Sequence, residues 1–476
     1  MEAFLLDFSI MQSLSRLRFN ALAGYSRHPN AVFENHEVAW FKSTGERLLG
    51  TLVRHFEDGD FGGVLMARDR LNRYRCVDIV PYFRTEKEAR VSLRKAMEKH
   101  ADRPDSDFHQ GDEKGEPMDF FTPVVADERL HKHFKILQEH RYTPALGILN
   151  AMMHYFQDPD GNFVEQFQTS AFDARLWELY LFCALTEELC AFDRDKHQAP
   201  DFLCNRYTGK FFVEAVTVNP TLDPQGKSAE TGPPLDPTKH QLYLTEYIPI
   251  KYGSSLFSKL KKKYWELPHV KGFPVILAIQ DFHYPGSMIW SEGQLASYLY
   301  GLKHEANYDK NGTLTIKATP IKDHTWGSKV IPSGFFNQPD SEHISAVITN
   351  SQATINKFNR LGIKAGFGDR SIKGVRTVSA FNPDPNASQS DVYLFDVHDH
   401  RYKESWVEGM NVYHNPKALI PLPNDFLAEA IHHRLKGDQI SSYGPEWRVL
   451  SSITQYGVTV KELKKAHKRA AQAEGS

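Results

Sequence analysis

The hydrophobic positions between residues 34 and 79 fall in short runs that Gly, Asp and Asn interrupt, which is the pattern of an antiparallel meander of strands. A helix is predicted to follow over 85–100, with Thr85 as its N-cap and acidic residues in its first turn. The next segment, 101–120, is polar and rich in Gly and Pro, so we interpret it as a linker. The pattern therefore predicts a small α+β domain over 1–100.

From residue 172 onward the periodicity predicts alternating helices and strands. An apolar helix precedes two strands joined by a turn, and a second helix and a buried strand follow, over 172–189, 200–204, 210–218, 254–267 and 273–282. This order predicts an α/β fold of the mixed α+β kind, a mixed sheet flanked by helices, in a domain over 121–350. The Pro- and Gly-rich stretch 220–240 is predicted to form a flexible flap.

The remaining residues predict a C-terminal α/β extension over 351–476. Its periodic segments indicate a helix at 351–360 and another at 425–436. The last segment, 460–473, is rich in lysine and is predicted to form a basic helical tail.

Composition narrows the class of protein. Basic residues number 57 and acidic residues 59, giving a net charge of −2, which leaves a nucleic-acid partner open because a local basic patch can bind a phosphate backbone. No apolar run approaches the ~20 residues of a membrane-spanning helix, and no signal peptide is evident. The four cysteines form no CxxC pair, so free thiols in a reducing cytoplasm are expected. We therefore expect a cytoplasmic protein without membrane contact, and a homo-oligomer stays open.

Three carboxylates in the middle of the chain are candidates for chemistry. Asp201 follows Pro200 at the start of one strand, and Glu214 lies inside the next. A carboxylate within a hydrophobic strand is costly to desolvate unless it is paired or binds a metal ion; the alternative is an edge strand that turns Glu214 to solvent. Glu178 lies off the apolar stripe of its helix, where it is either a ligand or the ion-pair partner of Arg175. Two or three converging carboxylates are what a Mg²⁺-dependent phosphodiesterase needs.

The order of these residues along the chain resembles that of a known protein family. A helix with Glu178 in WELYL, then Asp201 in PDF, then Glu214 in VEAV is similar to the PD-(D/E)XK nuclease superfamily. The resemblance implies a restriction-endonuclease-like core in which the three residues are catalytic and bind Mg²⁺ or Mn²⁺. The segments FDARLWELYLF and HNPKALIPLP also resemble those of a bacterial protein family, which by itself implies no activity.

One member of the family motif is missing, because Val216 stands where the family has a lysine. Some family members supply that lysine from the following helix, here predicted over 254–267. Lys259 and Lys263 lie one turn apart on the same flank of that predicted helix. The resemblance therefore makes Lys259 the first candidate for the catalytic lysine and Lys263 the second.

The function implied is hydrolysis of phosphodiester bonds in nucleic acid, with DNA favoured over RNA, and the flap and the basic tail are candidate elements for gripping the substrate. The missing lysine keeps a rival open, a catalytically inactive nuclease-fold protein that binds nucleic acid or serves as a scaffold in bacterial defence. Other chemistry has weaker signals. His398 and His400 could present two imidazoles to zinc but have no accompanying ligand motif, and the glycines at 362, 366 and 368 lack the GK[ST] of a phosphate-binding loop.

Overall fold

The computed structural model describes residues 10–158, 161–192, 199–206, 209–225, 227–230, 232–424 and 426–458. The fold is mixed α+β, as predicted, and the chain forms two compact units. The first unit comprises Met1–Phe172, Phe182–Ala191 and Phe358–Ile372; the second comprises Asp173–Leu181, Phe192–Lys357 and Lys373–Ser476.

The first unit begins with an antiparallel sheet whose strand order is the sequence order, which confirms the predicted meander. Its elements are β1 (Gln12–Ser13), α1 (Arg16–Ala23), α2 (Pro29–Glu34), β2 (Asn35–Lys42), β3 (Leu48–His55), β4 (Phe61–Arg68), β5 (Tyr74–Phe83) and α3 (Glu86–His100). The Thr85 hydroxyl caps α3 by accepting from the Glu88 amide at 3.3 Å, as the sequence predicts. Leu93 and Met97 of α3 pack into the core beneath the sheet.

Further helices of the first unit are α4 (Lys132–Leu137), α5 (Thr143–Met153) and α6 (Phe163–Gln168). The helix α7 (Phe172–Glu187) and the short strand β6 (Ala191–Phe192) each have residues in both units. Residues 173–181 of α7 belong to the second unit and carry Glu178.

The second unit is built on a larger mixed sheet. Its elements are β7 (Phe202–Arg206), β8 (Gly209–Val218), α8 (Pro237–Leu242), α9 (Ile248–Leu260), β9 (Val275–Asp281), α10 (Ser287–Tyr300), β10 (Leu302–Tyr308), β11 (Leu314–Pro320), β12 (Asp323–Trp326), β13 (Lys329–Pro332), β14 (Ala346–Thr349), α11 (Ile355–Lys364), β15 (Ile372–Ala380), β16 (Asp391–Asp396), β17 (Asn411–His414), β18 (Ile431–Lys436), β19 (Gln439–Tyr443) and β20 (Val449–Val458). A π-helical turn, Tyr243–Tyr247, joins α8 to α9. The elements α11 and β15 have residues in both units.

The order of strands through this sheet is β19-β18-β17-β14-β9-β8-β7. The central pairs β8/β9 and β9/β14 are parallel, and β7 pairs with β8 in the antiparallel sense. The strand β9 is buried along its whole length, as a central strand covered on both faces should be. One face of β8 packs on α9 through a core that includes Phe212, Val216, Leu256 and Leu260.

Two predicted elements differ from the structure. The helix predicted over 425–436 is wrong, because Ile431–Lys436 is the strand β18, held between β17 and β19. Its polar residues satisfied a helical period, but pairing on both sides decides the conformation. The helix predicted over 254–267 ends at Leu260 instead. The predicted basic tail lies outside the described residues.

The predicted flap is described in part. An isolated bridge joins Leu222 to Ser228, and the Ala229 amide donates to the Thr221 carbonyl at 2.8 Å, so this stretch folds back on itself. No helix in the described part of the chain has the length and apolar character needed to cross a membrane.

Candidate functional site

The hairpin of β7 and β8 determines where the two strand carboxylates lie. Phe202 is paired with Val213 and Leu203 with Phe212, so continuing this antiparallel register by one residue places Asp201 opposite Glu214. Directly opposed residues on one face have Cβ atoms about 4.5–5.5 Å apart. The Asp201 carboxylate also accepts a hydrogen bond from the Ala215 amide at 2.7 Å, which fixes it against β8. The two acids are therefore brought together by the pairing of one hairpin.

Glu214 is buried and paired. Its side chain is 4% exposed, and its Oε1 accepts hydrogen bonds from Lys259 Nζ and Tyr264 Oη, both at 2.5 Å. The strand that carries it lies between β7 and β9, so the alternative of a solvent-facing edge strand is wrong. Burial, followed by the hydrogen bond to Glu214, raises the pKa of Tyr264, so this hydroxyl stays protonated and acts as a donor.

Glu178 reaches the same region from α7. The neighbouring Trp177 is fully buried and donates from Nε1 to the Ala278 carbonyl of β9 at 2.9 Å, which fixes the helix on the sheet. Arg175 forms the ion pair that was the alternative reading of Glu178, with N–O distances of 2.7 and 2.8 Å. Burial raises the pKa of Glu178, Arg175 opposes this, and the charge of Glu214 raises it further.

Asp201 shows how closely the acids are grouped. It is accessible to solvent, although protein surrounds its carboxyl on most sides. This desolvation, followed by the charges of Glu214 and Glu178, raises the pKa of Asp201 to about 8, while the Ala215 amide and Lys259 act in the opposite direction. The structure thus brings Glu178, Asp201, Glu214 and Lys259 into one electrostatic neighbourhood.

Lys263 is not brought to this group. Since α9 ends at Leu260, Lys263 lies in a turn with left-handed backbone (φ 49°). Its ammonium pairs with Asp340 at 3.3 Å and Glu266 at 3.6 Å on an exposed surface. Lys259 is therefore the candidate lysine that contacts a candidate carboxylate.

The histidines weighed as metal ligands are also placed. His398 and His400 lie in a turn after β16, and the His400 side chain is 92% exposed beside Asp399.

The donor chemistry suits Mg²⁺ or Mn²⁺, which bind carboxylate oxygens, keep several waters and complete their shell with substrate phosphate. Within the described residues the three carboxylates do not form a closed cage, since their oxygens do not all lie within 4.8 Å of one another. Asp201 and Glu214, at opposed positions when the hairpin register is continued, are the two acids that would hold an ion. Glu178 would join them after releasing Arg175. Mutual repulsion of these acids is a cost that a bound cation would relieve.

Tyr264 is a site residue that sequence patterns did not identify. The helical period of the sequence places Tyr264 on the apolar face of a helix that continues to residue 267. The end of α9 at Leu260 instead lets its hydroxyl reach Glu214. A tyrosine at a core position carries no sequence signal for the partner of its hydroxyl.

Trp177 is expected to be a major support of the site. Trp177→Phe should destabilise the protein by about 2–3 kcal/mol, because it removes a buried hydrogen bond and leaves unfilled space. Urea unfolding with an unchanged slope measures this loss. Trp447→Phe is the matched control in the same unit, since Trp447 is 37% exposed and should change stability by less than about 1 kcal/mol. Equal losses of stability in the two variants would contradict the supporting role of Trp177.

Neutralising Asp201 is expected to stabilise the metal-free protein in a pH-dependent way. The folded pKa of about 8 lies above the ~3.9 of an unfolded chain, so the folded state holds the proton more tightly. Wild-type stability then falls as pH rises from about 4 to about 8. With a chelator present, the Tm of Asp201→Asn should be close to that of the wild type at about pH 4. The Tm of the variant should exceed that of the wild type by a growing margin as the pH rises towards about 8. Thermal unfolding across this pH range measures the gap.

Glu305→Gln is the control for this titration. A hydrogen bond from Lys303 lowers the pKa of Glu305, so stability from this group is present above its unfolded pKa and the variant should show no gain as pH rises. A Tm gap for Asp201→Asn that stays flat or shrinks with rising pH would contradict the crowding of acids.

Comparison of the chain with descriptions of protein families, with curated proteins and with solved structures finds no match in any of the three.

Proposed function

We propose that the second unit is a divalent-metal-dependent nuclease that hydrolyses phosphodiester bonds of nucleic acid, with DNA favoured over RNA. The observation that carries the proposal is the placement of Asp201, just before β7 and bonded to the Ala215 amide, with Glu214 on β8 and its Lys259 ammonium. Opposed acids with one cation at hydrogen-bond distance are costly for stability and useful for phosphoryl chemistry. Glu178 adds a third acid within electrostatic range.

The chain's own residues would divide the work. A bound Mg²⁺ or Mn²⁺ supplies a Lewis acid and an activated water, and Asp201 and Glu214 would hold it. Lys259, no longer needed to neutralise Glu214, can donate to the phosphate oxygens where negative charge develops. Tyr264 keeps the Glu214 carboxylate oriented through its hydrogen bond. The open side of Asp201 gives the phosphate access.

The missing motif lysine has a structural explanation that favours catalysis. Val216 is 2% exposed and packs in the core between β8 and α9, where an ammonium would be buried without water. Lys259 approaches Glu214 from α9, on the same side of the sheet. The cation is thus present near the acids although position 216 does not supply it.

The test is cleavage of single-stranded DNA, duplex DNA and RNA by the purified full chain. We expect cleavage with Mg²⁺ or Mn²⁺, none with EDTA, and a Tm that rises with either ion because binding favours the folded state. The relative rates on DNA and RNA decide the preference. Absence of both cleavage and the Tm rise would overturn the proposal in favour of the inactive nuclease-fold protein. Cleavage that persists in EDTA would overturn the metal dependence.

A further inference from the structure

A pocket of about 470 Å³ lies beside the candidate site in the second unit. This volume is within the ~300–1,000 Å³ typical of small-ligand pockets. Three elements line it, namely the end of β8, one side of α9 with its preceding π-helical turn, and the tip of the β12–β13 hairpin. Its lining residues include Thr217, Tyr247, Lys251, Ser254, Trp326 and Lys329.

The pocket and the site share two elements. On α9, Lys251, Ser255 and Lys259 are four residues apart and form one strip, and the Ser255 hydroxyl donates to the Thr217 carbonyl at 3.2 Å. On β8, Thr217 is three residues beyond Glu214, or about 10 Å at the rise of a strand. Phosphates of one strand repeat every ~3.4 Å along a B-form helix and farther apart when extended, so the pocket is at most about three nucleotides from the acids.

The hairpin brings an aromatic ring and a cation to the pocket together. Trp326 and Lys329 are cross-strand partners at its tip. Trp326 is 38% exposed, and its ring centroid is 5.2 Å from that of Tyr247. The Lys329 ammonium donates to the Ser254 hydroxyl at 2.6 Å, which holds this exposed side chain over the pocket.

The walls of the pocket are fixed by hydrogen bonds. The Thr325 amide donates to Glu246 at 2.8 Å, which fastens the hairpin to the π-helical turn. Lys251 donates to the Asn219 carbonyl at 2.8 Å and pairs with Glu230 at 2.9 Å. Because Glu230 offsets the charge of Lys251, Lys329 supplies the uncompensated cation among these contacts. A site held in this way can bind without first paying for its own ordering.

We propose that this pocket binds one unpaired nucleotide of the substrate strand, with its base against Trp326 and Tyr247 and its phosphate at Lys329. A base can reach the aromatic rings only when it is not in a duplex stack, since recognition by stacking requires a base splayed from its neighbours. The substrate class is therefore single-stranded nucleic acid, or a strand with unpaired nucleotides next to the cut. This inference rests on the proposed function.

The test measures binding apart from cleavage. Fluorescence anisotropy of a labelled single-stranded DNA oligonucleotide is recorded with the full chain in EDTA, where no hydrolysis is expected. Trp326→Ala and Lys329→Ala should each weaken binding about tenfold, because base–aromatic stacking and phosphate pairing are worth about this much. Trp326→Phe should retain most of the affinity. Lys317→Ala, an exposed lysine on β11 outside the pocket, should bind like the wild type.

A second measurement locates the nucleotide. Single abasic substitutions along the oligonucleotide should weaken binding to the wild type at one or two positions only, and should have no such effect on Trp326→Ala. The proposal would be overturned if Trp326→Ala and Lys329→Ala bound single-stranded DNA within twofold of the wild type. It would also be overturned if the two substitutions weakened binding to a blunt duplex by the same tenfold factor. Failure of the nuclease proposal is distinguishable, because it would show as absent cleavage by the wild type with Mg²⁺ whatever the anisotropy gives.

Discussion

Asp201→Asn is expected to lower metal-dependent cleavage by about 10²–10³-fold while leaving the folded protein intact. The rate loss follows because one of two opposed ligands for the metal becomes a weaker, neutral donor, and loss of one preorganised electrostatic contact costs about 10²–10³-fold in other enzymes. Folding should not suffer, because the wild-type carboxylate is crowded by Glu214 and Glu178. The variant should also lose most of the Mg²⁺-induced rise in Tm.

Single-turnover rates at saturating enzyme measure the chemical step in this comparison. Asp340→Asn is the matched control, since Asp340 is an accessible acid of the same unit whose left-handed backbone (φ 67°) asparagine tolerates well. It pairs with Lys263, so an unchanged rate would also show that this pair takes no part in cleavage. Cleavage by Asp201→Asn at the wild-type rate would remove Asp201 from the mechanism.

The hairpin of the site was predictable from sequence because its conformation depends on residues that are close together in the chain. Alternation in β8 placed Phe212, Glu214 and Val216 on one face, and pairing with β7 follows from a short turn. The register that sets Asp201 opposite Glu214 then needs no information from elsewhere in the chain. The same argument explains why the N-terminal meander was predicted correctly.

Features that depend on distant parts of the chain were not predictable. The positions of Lys263 and Tyr264 depend on whether α9 ends at Leu260 or at residue 267. The apolar period of the sequence continues to residue 267 and so does not indicate the earlier end. Pairing with β17 and β19 keeps β18 extended, and the residues of β18 do not by themselves indicate this conformation. The proposed nucleotide pocket needs a hairpin that follows α9 by more than sixty residues, and the sequence of α9 carries no information about that distant partner.

Lys259 provides the sharpest separation between a catalytic and a structural role. In Lys259→Met the buried Glu214 keeps the Tyr264 hydroxyl but loses its cation. Breaking a fully buried pair costs about 3–5 kcal/mol, and the 25% exposure of Lys259 reduces the expected loss to about 1–3 kcal/mol. Cleavage should fall by about 10²–10³-fold because the ammonium no longer faces the phosphate.

Metal binding should change in the opposite direction. A divalent ion must compete with the Lys259 ammonium for Glu214 in the wild type, and that competitor is absent from Lys259→Met. We therefore expect a larger Mg²⁺-induced rise in Tm for the variant together with slower cleavage, each measured against Lys263→Met as control. If Lys259 only neutralised Glu214, its variant would also bind metal more tightly, but it would cleave at the wild-type rate once saturated with Mg²⁺. Recovery of that kind would contradict the catalytic role of Lys259, whereas cleavage that stays slow at saturating Mg²⁺ is the result expected if the ammonium acts on the phosphate or the water.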